Sequence, residues 1–300
     1  MSNPRKQHYV PQLYLKNFAY GSSKTPKLYV LSIDQDKIFP ASVCDTAAER
    51  DFYTVDSADD KYMWERCYAE RIEPILDNLL KSLRSRCENV LIQNHVSVIN
   101  PEEKVRLALS IVFQLLRGKQ TRVYEQKLFD RFLPEVQAKA RKRFSPIDEE
   151  KERLLKAFAD DDKYFKEIAM QTIFREESIR LYLDILVQRT FILYKITGEN
   201  SFVTSDNPVM LIDSTTHDAT PFRNGMVNTS TLIYYPLSPK LLLGAYHPAM
   251  FLGALNERDC CIELLDGTKE QRFILTQNRK QKSQCYNYVY AQSPDVLRQL

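Results

Sequence analysis

The chain has 300 residues, 44% of them hydrophobic, which is enough apolar surface for a sizeable folded core. Its 42 basic and 39 acidic residues leave a net charge of only +3, so bulk electrostatics indicate no polyanionic partner and any anion site must be local. Only seven residues are glycine, and none has the spacing of a phosphate-binding loop or a nucleophile elbow, which excludes dinucleotide folds, P-loop enzymes and α/β-hydrolases.

The cysteines and histidines indicate a compartment and exclude common zinc chemistry. The six cysteines form no Cys-x-x-Cys pair, and the four histidines are too scattered for a His-Glu-x-x-His motif. The first residues lack the apolar segment of a signal peptide, and the apolar runs are far shorter than the ~20 residues that span a bilayer. We therefore expect a cytoplasmic protein with reduced thiols, no structural zinc site and no membrane partner.

The N-terminal part predicts a small β element followed by helices. Residues 27–33 and 37–41 are predicted as two strands joined by a turn. From 62 to about 92, apolar residues recur at helical spacing, and Pro74 is predicted to bend that helix. Asn100, followed by proline and two acids, is a good N-cap and predicts the start of a second helix.

The rest of the chain changes from helix to strand. Residues 122–188 are predicted as charged amphipathic helix, broken near 145–146 and again at 160–162. Branched and aromatic residues then predict strands at 190–196, 202–204, 209–212, 231–235 and 241–246, and finally a helix at 269–283 and a strand at 286–291. This order predicts an α+β fold in which β-rich N- and C-terminal parts pack with a large central helical region. We expect a single domain, 1–300, with 122–188 as a helical insertion.

The helix that begins at Pro101 carries an unusual polar stripe. Nine of the twelve residues from 105 to 116 are apolar, so this helix is expected to be buried on most sides. The polar exceptions fall on one line along the helix: Arg106, Ser110, Gln114, Arg117 and Thr121. Because an unpaired buried charge costs several kcal/mol, Gln114 and Arg117 would face an anionic ligand or a catalytic carboxylate. The alternative is that the stripe is the solvent edge of the helix.

A second polar segment runs from Thr204 through Ser205, Asp206 and Asn207 to Pro208, between two strand-like segments. Side chains of these types often satisfy the backbone of their own turn. This is the commoner explanation for such a run, although a carboxylate and an amide at the end of a strand are also well placed to bind a metal, a ribose or a nucleophilic water. The sequence leaves both interpretations open.

Two further groups are candidates for proton transfer. His8 lies near the N-terminus, four residues before Gln12, and histidine is the default general acid or base near neutral pH. Glu65 and Glu73 are eight positions apart, which places them about 80° apart around a regular helix. Both acids could border one cleft, although acids on a helix surface and a structural histidine are common alternatives.

These segments together resemble an uncharacterised, largely bacterial family catalogued as domain of unknown function 4238. The resemblance rests on the opening run His8-Tyr9-Val10-Pro11-Gln12, which continues to Asn17-Phe18. Further motifs follow in the same order and cover nearly the whole chain: Glu49, Asp51-Phe52-Tyr53, Glu65, Glu73, Gln114, Arg117, Thr204 to Val209 and Pro236 to Pro239. The resemblance implies that these distant polar residues form one recurring pattern, but it implies no established activity.

The first hypothesis is a hydrolase or nuclease acting on a phosphate-containing substrate, a nucleotide or a nucleic acid, as in a defence or toxin-type effector. In this hypothesis His8 is the general acid or base, Arg117 binds the phosphate, and Glu65 and Asp206 are proton partners or ligands of a divalent metal ion. The expected substrate-binding residues are Gln12, Gln114, Thr204, Ser205 and Asn207. The alternatives are a non-catalytic ligand-binding or sensor module, and a buried polar network that only specifies the fold.

Overall fold

The structure is a computed structural model, which describes residues 5–21, 24–55, 58–92, 94–160, 175–221 and 223–300. The strands in these ranges are β1 Lys6–His8, β2 Lys27–Ser32, β3 Lys37–Ser42, β4 Ala48–Arg50, β5 Val96–Ser97, β6 Thr190–Thr197, β7 Thr204–Ser205, β8 Met210–Asp213, β9 Thr231–Ser238, β10 Leu241–Tyr246, β11 Cys261–Asp266 and β12 Tyr288–Ala291. The α-helices are α1 Gln12–Leu15, α2 Met63–Cys67, α3 Glu73–Glu88, α4 Pro101–Arg117, α5 Lys119–Arg143, α6 Glu149–Asp160, α7 Glu176–Val187, α8 Gln271–Gln284 and α9 Pro294–Arg298. The fold is therefore mixed α+β, as the sequence predicts.

A six-stranded sheet carries the core. Its order is β5-β11-β6-β10-β9-β8, and every neighbouring pair is antiparallel except β11 with β6. All residues of β9 and β10 are buried, which explains why both read as nearly continuous apolar runs rather than as alternating strands. The main hydrophobic cluster joins this sheet to α1, α3 and α4 through residues such as Leu15, Leu83, Ile111 and Leu243.

A four-stranded sheet of order β3-β2-β12-β7 joins the two ends of the chain. The predicted N-terminal hairpin is present as β2 and β3, and β12 pairs antiparallel with β2. The expectation that the β-rich ends pack together is thus confirmed. A separate pair, β1 with β4, lies beside them and positions the segment that begins at His8.

The helix starting at Pro101 begins as predicted. The Asn100 side chain accepts a hydrogen bond from the backbone N–H of Glu103, and the Glu103 carboxylate accepts one from the N–H of Asn100. This reciprocal capping box satisfies two donors that the first helical turn leaves free. The Glu103 carboxylate also pairs with Arg86 of α3, which ties the two helices together.

The predicted bend at Pro74 takes a different form. The chain makes a π turn over Tyr68–Ile72 between α2 and α3, and Pro74 lies in the first turn of α3. Proline has no N–H to give to the carbonyl four residues earlier, so a regular helix cannot pass through this position unaltered. The π turn accommodates the missing hydrogen bond, and α3 follows it directly.

Other sequence predictions differ in detail. Strand β11 was not predicted. The strand predicted at 202–204 is instead the two-residue strand β7 at Thr204–Ser205. The break near 145–146 is present between α5 and α6, whereas the break at 160–162 lies partly outside the described residues. No residue of α5 is buried.

The division into one domain with a 122–188 insertion stays a prediction. In the ranges that the structure describes, no helix is long and apolar enough to cross a membrane.

Candidate functional site

Arg117 lies at the end of α4 in a cluster of acidic and aromatic side chains, which we call the Arg117 cluster: Tyr53, Glu65, Tyr68, Glu73 and Arg117. The guanidinium is buried, donates from Nη1 to Glu73 Oε1 at 3.1 Å and from Nε to the Tyr53 hydroxyl at 3.2 Å. Its Cζ lies 4.2 Å from the centre of the Tyr68 ring, which is cation–π contact. These contacts occupy much of the hydrogen-bonding capacity of the guanidinium inside the protein.

The π turn brings Glu65 and Glu73 to the same side of their helix. Glu65 and Glu73 are eight positions apart, and the π turn adds one extra residue to a single turn. The rotation between them is therefore that of about seven regular positions, about 700°, which differs from two full turns by only about 20°. Both carboxylates therefore face Arg117, and the charges of Arg117 and Glu73 both act on Glu65. The sequence alone predicts a separation of about 80°, because a π turn carries no simple sequence signal.

Glu65 differs from Glu73 in its partners. The pKa of Glu65 is raised to about 7, mainly because the carboxyl is buried; the positive charge of Arg117 acts against this rise, and the negative charge of Glu73 adds to it. Its Oε2 atom is buried and has no hydrogen-bond partner among the described residues. Glu65 is thus a carboxyl group that changes protonation near neutral pH beside a fixed cation.

Gln114 and Arg117 hold the backbone of the His8-Tyr9 dipeptide. Gln114 Nε2 donates to the carbonyl oxygen of Tyr9 at 3.1 Å, and Arg117 Nη2 donates to the carbonyl oxygen of His8. The polar stripe of α4 is therefore not the solvent edge of the helix over its whole length. Arg106 is exposed, whereas Ser110, Gln114 and Arg117 are buried. Its buried part fixes the start of the chain against the helix.

The imidazole of His8 points to other groups. Its Nε2 lies 3.2 Å from the carbonyl oxygen of Cys44, and its Nδ1 lies 3.5 Å from Nε2 of Gln12. Burial lowers the pKa of His8, while the bond to Cys44 and the charge of Glu73 raise it. The neutral imidazole is favoured, and it is held by its backbone partner.

Asp206 binds a stretch of backbone. Its carboxylate accepts three hydrogen bonds, from the N–H groups of Tyr286, Asn287 and Tyr288, at 2.7, 2.7 and 2.9 Å. The pKa of Asp206 is raised to about 6, because the effect of burial exceeds the opposite effect of the three N–H donors. The carboxylate therefore caps a distant segment, the one that leads into β12, whereas the motif's own turn is satisfied by Ser205 Oγ, which accepts from the N–H of Asn207 at 3.0 Å.

The other residues of that motif bind α8 and α1. Gln281 Nε2 donates to Ser205 Oγ at 2.6 Å and to the carbonyl of Asn207 at 2.8 Å, and Asn207 Nδ2 donates to the carbonyl of Gln284. The Thr204 hydroxyl lies 2.7 Å from the hydroxyl of Tyr14 in α1. The buried side-chain amides of α8, which we call its amide face, are those of Gln277, Asn278, Gln281 and Gln284. This face supplies hydrogen bonds to the segment at β7, which lies at the edge of its sheet.

A cleft of about 340 Å³ opens beside Tyr9, and we call it the Tyr9 cleft. Its wall is formed by residues of β2, β3, β4, β12, the start of α5 and the segment before β4: Tyr9, Val30, Phe39, Ala41, Asp45, Thr46, Ala47, Ala48, Glu49, Lys119, Tyr288 and Tyr290. Lys119 forms an ion pair with Glu49 and lies 4.8 Å from the Tyr286 ring centre. The Tyr290 hydroxyl is fully buried and has no hydrogen-bond partner among the described residues.

The structure separates the predicted site residues into groups. Glu65 and Arg117 come together, Gln114 joins them through the His8-Tyr9 backbone, and Gln12 contacts the His8 ring. Thr204, Ser205, Asp206 and Asn207 are instead bound to α1, α8 and the segment before β12.

Sequence reasoning missed the tyrosines of the Tyr9 cleft. Tyr288 and Tyr290 are two residues apart in a strand and so share one face, a signal that was available. Lys119 gave no such signal, because its role depends on where α5 begins.

The described residues hold no group of three or more His, Cys, Asp or Glu side chains that could bind a metal ion. The carboxylates proposed from the sequence as metal ligands lie in different settings, Glu65 beside Arg117 and Asp206 on backbone N–H groups. The divalent metal stays a prediction.

Fold and site together define a mixed α+β protein whose N-terminal motif is fixed by α4 beside an aromatic cleft. The sequence model of a family described as protein of unknown function (DUF4238) matches residues 6–295. The chain belongs to the DUF4238 family. Comparison with curated proteins and with solved structures finds no match.

Proposed function

We propose that this protein binds a small organic ligand in the Tyr9 cleft and acts as a non-catalytic binding or sensor module. The Tyr290 hydroxyl is the observation that carries this proposal. A buried donor without a partner costs about 1–3 kcal/mol, and a ligand acceptor that reaches the hydroxyl through the cleft wall, which shields it from solvent, would remove that cost. The cleft volume of about 340 Å³ lies within the range of small-molecule sites.

The wall of the cleft favours an uncharged planar group. Tyr9, Phe39 and Tyr288 offer ring surfaces against which an aromatic ring can pack. The carboxylates of Asp45 and Glu49 are paired with Lys6 and Lys119, so neither of these two cations is free to bind a phosphate. A nucleobase or another aromatic ring fits this chemistry better than the phosphate expected from the sequence.

The test is thermal unfolding with phosphate-free nucleosides and aromatic amines. We expect at least one compound to raise the melting temperature in a concentration-dependent way, without being turned over. Tyr290→Phe should weaken its binding about tenfold, the loss of one good hydrogen bond. This variant should remain folded, since it removes an unpaired polar atom.

Tyr20→Phe is the matched control, because Tyr20 packs on Tyr29 and is not part of the cleft wall. It should bind the compound as the wild type does. The proposal fails if no compound of the set stabilises the protein, or if Tyr290→Phe and the wild type bind equally well.

A hydrolase or nuclease acting on a phosphate-containing substrate is the second candidate, and Glu65 favours it. His8, Arg117 and Asp206 are engaged with backbone groups, so the proton-transfer role falls to Glu65, whose Oε2 lacks a partner among the described residues. Loss of a general acid or base typically reduces turnover about 10²–10⁴-fold. Glu65→Gln should therefore slow hydrolysis of nucleotides or of single-stranded DNA by at least about 10²-fold.

Glu70→Gln is the control for this candidate, since Glu70 is an exposed acid of the same π turn. Unchanged turnover in Glu65→Gln would exclude a catalytic role of this residue. We place either function in the cytoplasm, in keeping with six cysteines that are all free.

A further inference from the structure

A second cavity lies on the face of α8 that is not buried against β7 and β8, and we call it the α8 hollow. It has a volume of about 540 Å³ and lies between the exposed face of α8 and the loop that follows β8. Its lining includes His217, Asp218, Thr276, Arg279, Lys280 and Ser283. None of them belongs to the Tyr9 cleft or to the Arg117 cluster.

The helix that forms one wall is strongly basic. From Gln271 to Gln284 it carries four basic residues, at 272, 279, 280 and 282, and no acidic one. Thr276, Arg279, Lys280 and Ser283 follow at steps of three, one and three, which places them on one stripe of the helix. The stripe faces away from the buried amide face, whose hydrogen bonds fix the helix in place.

The opposite wall has its acids satisfied internally. Asp218 accepts hydrogen bonds from the N–H and hydroxyl of Thr220 and pairs with Arg223 at 3.0 Å. Asp213 accepts from the N–H groups of Thr215 and Thr216 and from the Ser230 hydroxyl. These two carboxylates therefore shape the loop, and Asp218 is the one that contributes to the hollow.

The cations of the hollow lack such partners. Within the part of the chain that the structure describes, neither Arg279 nor Lys280 forms an ion pair with an acidic side chain. Lys280 is partly buried, and burial lowers the pKa of its ammonium group. A partly buried ammonium group without a counter-charge is stabilised when an anion enters beside it.

We propose that the α8 hollow binds a phosphate group, held by the Arg279 guanidinium and the Lys280 ammonium, with His217 at its edge. Arginine offers paired N–H donors to phosphate oxygens, and lysine adds a compact charge. The phosphate belongs either to a small phosphorylated molecule or to the backbone of a nucleic acid strand, which share this chemistry. The anion site lies far along the sequence from Arg117 and does not depend on the function proposed for the Tyr9 cleft.

The experiment measures binding of pyrophosphate and of a single-stranded DNA oligonucleotide by calorimetry at low ionic strength, where surface electrostatics are strong. The test variant is Arg279→Gln/Lys280→Gln, and Lys280→Gln alone is the milder version. The matched control is Arg272→Gln, which removes a charge from an exposed position of the same helix outside the hollow. Circular dichroism checks that each variant is folded.

We expect the wild type to bind at least one probe, the double variant to bind it at least tenfold more weakly, and Arg272→Gln to bind it as the wild type does. Binding of pyrophosphate assigns a small phosphorylated molecule, whereas binding of the oligonucleotide alone assigns a nucleic acid strand. Equal losses in the double variant and in Arg272→Gln would show only diffuse attraction and overturn the proposal. Absence of binding of both probes to the wild type would overturn it as well.

Discussion

Arg117 donates a hydrogen bond to the backbone carbonyl of His8, while the imidazole of His8 lies against the carbonyl of Cys44. The two residues therefore meet through the main chain, not through a pair of reactive side chains. Gln114 repeats the arrangement one residue on, at the carbonyl of Tyr9. The motif at the start of the chain is thus anchored by α4, and Tyr9 is held in the wall of its cleft.

Replacement of Arg117 by methionine should destabilise the protein strongly. The variant leaves the Glu73 carboxylate and the His8 carbonyl without their donor, and breaking such a pair on one side costs roughly 3–5 kcal/mol. Denaturant unfolding measures the change in free energy of unfolding. Arg106→Met is the control, because Arg106 is exposed and pairs with Glu102 on the same helix, and it should lose less than about 1 kcal/mol.

The double variant Arg117→Met/Glu73→Gln should recover part of that loss, since no unpaired charge remains. An Arg117→Met protein as stable as the wild type would contradict the anchoring role. It would instead restore Arg117 as a residue that is free to bind substrate.

Glu65→Gln should change the dependence of stability on pH. The pKa of Glu65 is raised to about 7 in the folded protein, above its ordinary value, so the folded state binds more protons than the unfolded state in this range. The wild type therefore loses stability as the pH rises from about 4.5 to about 7, because a buried carboxyl must ionise. Glutamine does not ionise, and the variant should gain a few degrees in melting temperature relative to the wild type at pH 8 but not at pH 4.

Thermal unfolding across this pH range measures the effect, and Glu70→Gln serves as the control at an exposed position. Parallel pH profiles for Glu65→Gln and the wild type would show that folding does not raise the pKa of Glu65.

Asp206→Asn should destabilise the protein by about 2 kcal/mol, the value of a hydrogen bond to a charged group. The asparagine offers one oxygen acceptor where three backbone N–H groups need partners, and its NH₂ group is itself a donor. Denaturant unfolding measures this loss, with Asp77→Asn as the control at a more exposed helical ion pair with Lys81. Full stability of Asp206→Asn together with a loss of turnover would favour a catalytic carboxylate instead.

Gln281→Leu should cost about 2 kcal/mol, because Ser205 and the carbonyl of Asn207 both lose a buried donor. The same change at Gln271, an exposed position at the start of α8, should alter stability by less than about 0.5 kcal/mol. Hydrogen exchange of the amides of residues 204–211 should quicken in Gln281→Leu alone. If both variants behave alike, the amide face of α8 does not hold this segment.

The local elements were largely predictable, and the reasons are specific. The capping box at Asn100 and Glu103 is formed by side chains three residues apart, so the sequence displays it directly. The hairpin of β2 and β3 and the strands β6, β9 and β10 are rich in branched and aromatic residues, which indicate strands. The π turn was not predictable in this way, because Pro74 indicates that the helix must change near this point but not that the change is a π turn.

By itself, the sequence determined the α+β order of elements, the buried character of α4 and the membership of the DUF4238 family, because these depend on local pattern and on motif order. Only the tertiary structure decided what the polar motifs touch. Arg117 and Asp206 both have partners more than 40 positions away in the chain, Glu73 for the first and the backbone of Tyr286 for the second. A buried polar group must be satisfied by whatever the fold places beside it, and sequence spacing does not record that neighbour.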